Sequence, residues 1–135
     1  MTKESVLTGE QALYEWNNDT TIRYGLYGMY CFKNKFIQKH LNCFKDFPYY
    51  EDICSITKLL YFADIVNVLD FVGYNYYRNP DSQTNKNFSK KYQTFTEVVN
   101  DINNFFLTRE GNNSKLYQVI NAYYKRKRKE LDCSK

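Results

Sequence analysis

The chain has 135 residues, the size of one domain that can bury a core without disulfides or metals. Its 43% hydrophobic and 25% charged residues are ordinary for a globular protein and argue against a disordered or fibrous chain. A net charge of +4 is too modest to mark a nucleic-acid-binding protein by itself.

Two features of the composition stand out. Aromatics reach 19%, with 14 Tyr and 10 Phe. Asn and Lys are abundant while Ala, Pro and Gly are scarce, a usage expected from an AT-rich genome such as that of a low-GC bacterium, a phage or mobile element, a large DNA virus or a protist. Acidic residues concentrate in Met1–Thr20 and Glu51–Val72. Basic residues concentrate in Lys33–Lys45, Lys86–Lys91 and Lys125–Lys129. An acidic side and a basic side are therefore expected.

Thr8 and Gln11 have the form of a capping box, with a short helix to about Asn18 burying Leu13 and Trp16. Asn17-Asn18-Asp19 has the composition of a turn. Ile22, Leu26, Met29, Phe36, His40 and Phe44 fall near helical spacing, which favours one long helix over Thr21–Phe44. Gly25 and Gly28 weaken it by roughly 1 kcal/mol each relative to alanine. The alternative is a small β element near Ile22–Tyr30, with the firmer helix confined to Phe32–Phe44. Pro48 ends the segment.

The organising element is expected to be Ile53–Tyr77, the longest apolar run without proline. Glu51 and Asp52 suit a helix N-terminus. Ile53, Ile56, Leu59, Leu60, Ala63, Val66 and Leu69 follow at helical spacing, with Ile65, Val68 and Val72 on the other side. A helix apolar nearly all round is usually buried. Its polar positions Asp64, Asn67 and Asp70, at i, i+3 and i+6, would form one seam, either a plain exposed strip or the receiver of a partner's arginine. Within this run, KLLYFAD at Lys58–Asp64 resembles the core helix of Panacea-type antitoxins. The resemblance spans seven residues. That family's glycine-proline-valine segment is absent here and the residues after Asp70 differ in character, so the family is not adopted.

Residues 78–89 have loop composition and form the expected mobile or binding loop. Thr94 and Glu97 suggest a second capping box, followed by an apolar stripe of Val98, Ile102, Phe105 and Phe106. Arg109 and Gly111 mark a helix end. Ser114 can cap a last helix bearing Leu116, Val119, Ile120 and Tyr123. The fold class implied is all-α, a single domain of four to five helices around the Ile53–Tyr77 helix, ending in a basic segment, 125–135.

Candidate sites follow. Lys125, Arg126, Lys127, Arg128 and Lys129 go all the way round a helix, so this end is expected to project into water or fray. They suit either a solvated helix end or contact with phosphates or an acidic protein surface. Tyr123 and Tyr124 just upstream could stack on bases, and Lys33, Lys35 and Lys39 offer a second basic patch. His40 and Cys43 share a helical face, but no further ligands cluster in sequence, and no metal or cofactor is expected. None of the four cysteines forms C-x-x-C, so free thiols in a cytoplasmic setting are expected. The N-terminus is polar, with no signal peptide expected, and no window is apolar enough for a membrane partner. No phosphate loop, G-x-S-x-G or H-E-x-x-H is present.

The sequence alone does not specify a function. It leaves first a non-catalytic protein-binding module, such as an inhibitor, immunity factor or adaptor from a phage, virus or mobile element. A nucleic-acid binder using the basic C-terminal helix comes second, and an enzyme with an unrecognised site third.

Overall fold

A computed structural model describes residues 4–18, 27–70, 73–75, 77, 79–81 and 88–133. The elements run β1 (Ser5–Leu7), α1 (Gly9–Asn17), α2 (Asn34–Lys39), α3 (Glu51–Phe62), β2 (Val66–Val68), α4 (Phe88–Glu110) and α5 (Lys115–Cys133), with 3₁₀ turns at Tyr27–Met29 and Leu41–Cys43. The all-α class holds, joined by a two-stranded antiparallel sheet.

Four helices close on one another in the order α1–α3–α4–α5 and back to α1. Their inner faces make one core. α1 brings Leu13 and Trp16, α3 brings Ile56 and Leu60, α4 brings Val98, Ile102 and Phe106, and α5 brings Leu116, Ile120, Tyr123 and Tyr124. α3 also meets the Leu41–Cys43 turn on another side. All seven residues Cys54–Leu60 are consequently buried, the polar Ser55, Thr57 and Lys58 included. The expectation of a centrally buried helix is met here.

Its length is corrected. Helix α3 stops at Phe62, and the expected helix over Ile53–Tyr77 does not continue. The Ala63 amide turns back to the Leu60 carbonyl and its backbone goes extended (φ −80°, ψ 121°). The Ala63 carbonyl then accepts the Gly9 amide at 2.9 Å instead of a bond from its own helix. The next residues, Ile65-Val66-Asn67-Val68, are rich in β-branched side chains that suit a pleated, half-buried strand. β2 pairs with β1 in the register Ser5↔Val68, Val6↔Asn67 and Leu7↔Val66. Leu7, Val66 and Val68 pack against the core.

The local signals in α1, α3 and the α4–α5 connection are present. Thr8 and Gln11 exchange both bonds of the capping box, at 3.1 and 2.8 Å. Asp52 accepts the Ile53 amide at 2.8 Å. Gly111, at φ 78°, ends α4 and donates its N–H to the Leu107 carbonyl at 2.9 Å, and the Ser114 hydroxyl accepts the Tyr117 amide at 3.3 Å. The capping box expected at Thr94 is not formed. Thr94 lies inside α4, buried, and its hydroxyl donates to the Lys90 carbonyl at 2.9 Å. The helix expected over Phe32–Phe44 is reduced to α2 and the 3₁₀ turn after it. Residues 21–26 of the expected helix or β element lie outside the described residues, and Tyr27–Met29 is a 3₁₀ turn. Of the expected 78–89 loop, Phe88 and Ser89 belong to α4.

Candidate interaction surfaces

The β1–β2 sheet and the residues flanking β2 expose three apolar side chains, Val6, Ile65 and Leu69. Alternation along a strand turns Leu7, Val66 and Val68 inward, and so turns Val6 and Asn67 outward. These two are cross-strand partners. Ile65 and Leu69 follow Asn67 at two residues on either side, in diagonal reach of Val6. Val6 is 70% exposed, Ile65 68% and Leu69 65%. Glu4, Asp64 and Asp70, all exposed, adjoin Ser5, Ile65 and Leu69 along the chain. Among the described residues no third strand joins the sheet, so both strands carry an open edge.

Asp64, Asn67 and Asp70 are therefore not a seam on a helix. Asp64 sits in the bend after α3, Asn67 in β2 and Asp70 beyond the strand. They are exposed, and each adjoins one of the exposed apolar side chains, along the chain or across the sheet. Sequence spacing missed this group because it assigned a helical period to a stretch whose working period is two. The β-branched run Ile65-Val66 with Val68 was the available signal.

The basic run lies wholly within α5, which continues beyond it to Cys133. Arg126 donates from Nη2 to the Asn17 carbonyl at the end of α1, 3.2 Å away, and lies 5.5 Å from the Tyr123 ring centroid. Lys127 pairs with Glu130 at 3.2 Å. Arg128 donates to the Tyr92 hydroxyl at 3.3 Å. Lys125 and Lys129 are exposed. The run is thus divided between cations that tie α5 to the body and cations that face solvent. Tyr123 and Tyr124, expected to stack on bases, are each 3% exposed and face the core. Thr57 Oγ1 donates to the Ile53 carbonyl at 2.7 Å, so the Tyr124 hydroxyl donates to Thr57 Oγ1 at 2.9 Å. Lys33, Lys35 and Lys39 are exposed at and around α2, which meets α3 through His40 stacked on Phe62, whereas α5 packs on α1 and α4.

A buried polar cluster joins α3 to α4. Lys58, 3% exposed, is ion-paired with Asp101 Oδ2, Cys54 donates its thiol proton to the same oxygen at 3.2 Å, and the half-exposed Lys45 binds Oδ1 at 3.0 Å. Burial alone would raise the Asp101 pKa. Hydrogen bonds from Lys58, Lys45 and Cys54 outweigh it and hold the carboxyl below its ordinary value. Burial pushes the Cys54 thiol up to about 12, despite the opposing charge of Lys58. A thiol so poised is a hydrogen-bond donor, not a nucleophile. The signals for this cluster were one lysine inside an apolar helix and one aspartate interrupting the Val98–Phe106 stripe.

His40 stacks on Phe62 at 4.3 Å and meets Phe36 in a tilted contact at 4.8 Å, and Cys43 is buried with its pKa raised by that burial. Among the described residues no three His, Cys, Asp or Glu side chains are grouped to hold a metal ion, and no helix is long and apolar enough to cross a membrane.

Comparison with protein-family models, with curated proteins and with solved structures finds no match to this chain.

Proposed function

We propose that this protein is a non-catalytic protein-binding module, which engages a partner through the outer face and open edge of its β1–β2 sheet. The observation that carries this reading is the exposure of Val6 in β1 together with Ile65 and Leu69, the residues that flank β2. Exposed apolar groups rimmed by polar residues are a mark of interaction surfaces, and an open sheet edge can accept an extended segment by strand addition. Glu4, Asp64 and Asp70 suit a partner segment that alternates apolar residues with lysine or arginine. Such a module would act as an inhibitor, immunity factor or adaptor, and the Asn- and Lys-rich composition suits an origin in a phage, virus or mobile element. The nucleic-acid reading draws support from exposed Lys125 and Lys129, but the burial of Tyr123 and Tyr124 favours protein binding instead.

The test is affinity capture from host lysate with the natural chain and with an Ile65→Ser, Leu69→Ser variant. A stoichiometric protein held by the first and lost by the second, with equal thermal stability, is expected. Identical captures, or none, would overturn the reading.

A further inference from the structure

The start of α3, α4 and the end of α5 border an open, solvent-facing cavity of about 300 Å³. Tyr50, Ile53, Phe95 and Leu131 contribute to its apolar lining, and Lys127 and Glu130 add the charged groups. The volume is at the lower end of those that hold small molecules, roughly 300–1,000 Å³. Tyr50 adds an independent observation. It has φ 61° and ψ 19°, a left-handed conformation that is uncommon for a bulky residue. That conformation starts α3 and sets the Tyr50 ring edge-on to Phe95 at 5.2 Å, against the cavity. Strained backbone held at a cavity wall is a recurrent property of ligand sites.

The charges decide what kind of ligand fits. Residues 125–133 carry five cations against two carboxylates, Glu130 and Asp132, so the field around this end of α5 favours an anion. Lys127 pairs with Glu130 three residues along the same helix, and the Glu130 side chain is 55% exposed. The Lys127 side chain is 30% exposed, with its ammonium 5.7 Å from the Tyr123 ring centroid, so the pair is partly exposed and a carboxylate can compete with Glu130 for it. We propose that the cavity binds a small amphipathic carboxylate, with an aliphatic or aromatic body against Tyr50, Ile53, Phe95 and Leu131 and its head on the Lys127 ammonium. This site is separate from the sheet face and stands or falls without it.

The experiment titrates the 135-residue chain with decanoate and decyltrimethylammonium below their micelle concentrations and with decanol below its solubility limit, followed by amide chemical shifts and calorimetry. Decanoate is expected to bind saturably, with shifts at residues 50–53 and 127–131, and decyltrimethylammonium to bind more weakly. Lys127→Gln should weaken decanoate about fivefold, the order that a partly exposed charge contact supplies, while leaving decanol unchanged. Leu131→Phe should reduce the affinity for decanoate and decanol alike by filling the cavity. Because Leu131 is at the partly exposed end of α5, the amide spectrum of that variant should otherwise match the natural one. No saturable binding of decanoate at millimolar concentration, equal affinity for the cationic analogue, or a Lys127→Gln variant that binds decanoate as before would each overturn the proposal.

Discussion

The Gly9 amide donates to the Ala63 carbonyl across 2.9 Å, and this bond holds the start of α1 against the end of α3. β1 immediately precedes the one and β2 follows the other by a few residues, so the contact brings the two strands side by side. A Cβ on Gly9 would lie 1.8 Å from the Leu60 carbonyl oxygen and 2.5 Å from that of Ala63. Both obstacles are backbone and cannot swing aside.

Gly9→Ala is therefore expected to separate the two helix ends. Overpacking of this kind costs about 1–3 kcal/mol, and here it should fall first on the sheet. Denaturant titration measures the global loss, and hydrogen exchange at Ser5–Leu7 and Val66–Val68 measures the local one. An alanine variant with an unchanged midpoint and protected strands would contradict the role given to this contact.

A second prediction concerns Asp101. Its folded-state pKa lies below the ordinary value, because the hydrogen bonds from Lys58, Lys45 and Cys54 outweigh the effect of burial. A depressed carboxyl contributes stability that is present above its unfolded pKa, about 4, and is lost as pH falls through the folded value. Asp101→Asn should thus flatten the acid limb of the stability curve. At neutral pH it should cost about 3–5 kcal/mol, since it leaves the Lys58 ammonium buried without its counter-charge. The double change Lys58→Met, Asp101→Leu should cost less than Asp101→Asn alone, because it removes both charges from the interior. Denaturant midpoints measured from pH 2 to pH 7 check both expectations. Equal acid limbs in the natural and Asp101→Asn chains would contradict the first.

What the sequence displayed and what it concealed follow from the range of the forces involved. Capping at Thr8, the turn at Gly111 and the cap at Ser114 are set by residues within four positions of each other, and all three are visible in the sequence. The apolar stripes of α4 and α5 are visible for the same reason. The end of α3 is not, because Val66 and Leu69 continue its helical spacing while Ala63 is drawn away by Gly9, more than fifty residues earlier in the chain. The expected polar seam of Asp64, Asn67 and Asp70 is lost with the helix that would carry it. The pairing of Lys58 with Asp101 likewise depends on which helices become neighbours, about which residue spacing carries no information, whereas the burial of Tyr123 and Tyr124 follows from their helical spacing with Leu116 and Ile120.

The basic run at the end of α5 provides a third prediction, because its members are uniform in sequence and unequal in structure. Arg126 reaches the Asn17 carbonyl, a group that the last turn of α1 leaves without a helical partner, and it also lies over the Tyr123 ring. A cation at a helix C-terminus is favoured by the helix dipole as well. Arg126→Ala should accordingly cost about 1 kcal/mol. Lys125 and Lys129 face solvent, and their change to glutamine should leave stability within about 0.5 kcal/mol of the natural chain. If the five cations served only as a phosphate-binding stripe, all of these variants would leave folding alone and would weaken retention on heparin to a similar degree. A denaturant midpoint lowered by Arg126→Ala and not by Lys125→Gln or Lys129→Gln shows instead that α5 uses part of its charge to hold α1. Equal midpoints in the three variants would remove Arg126 from that role.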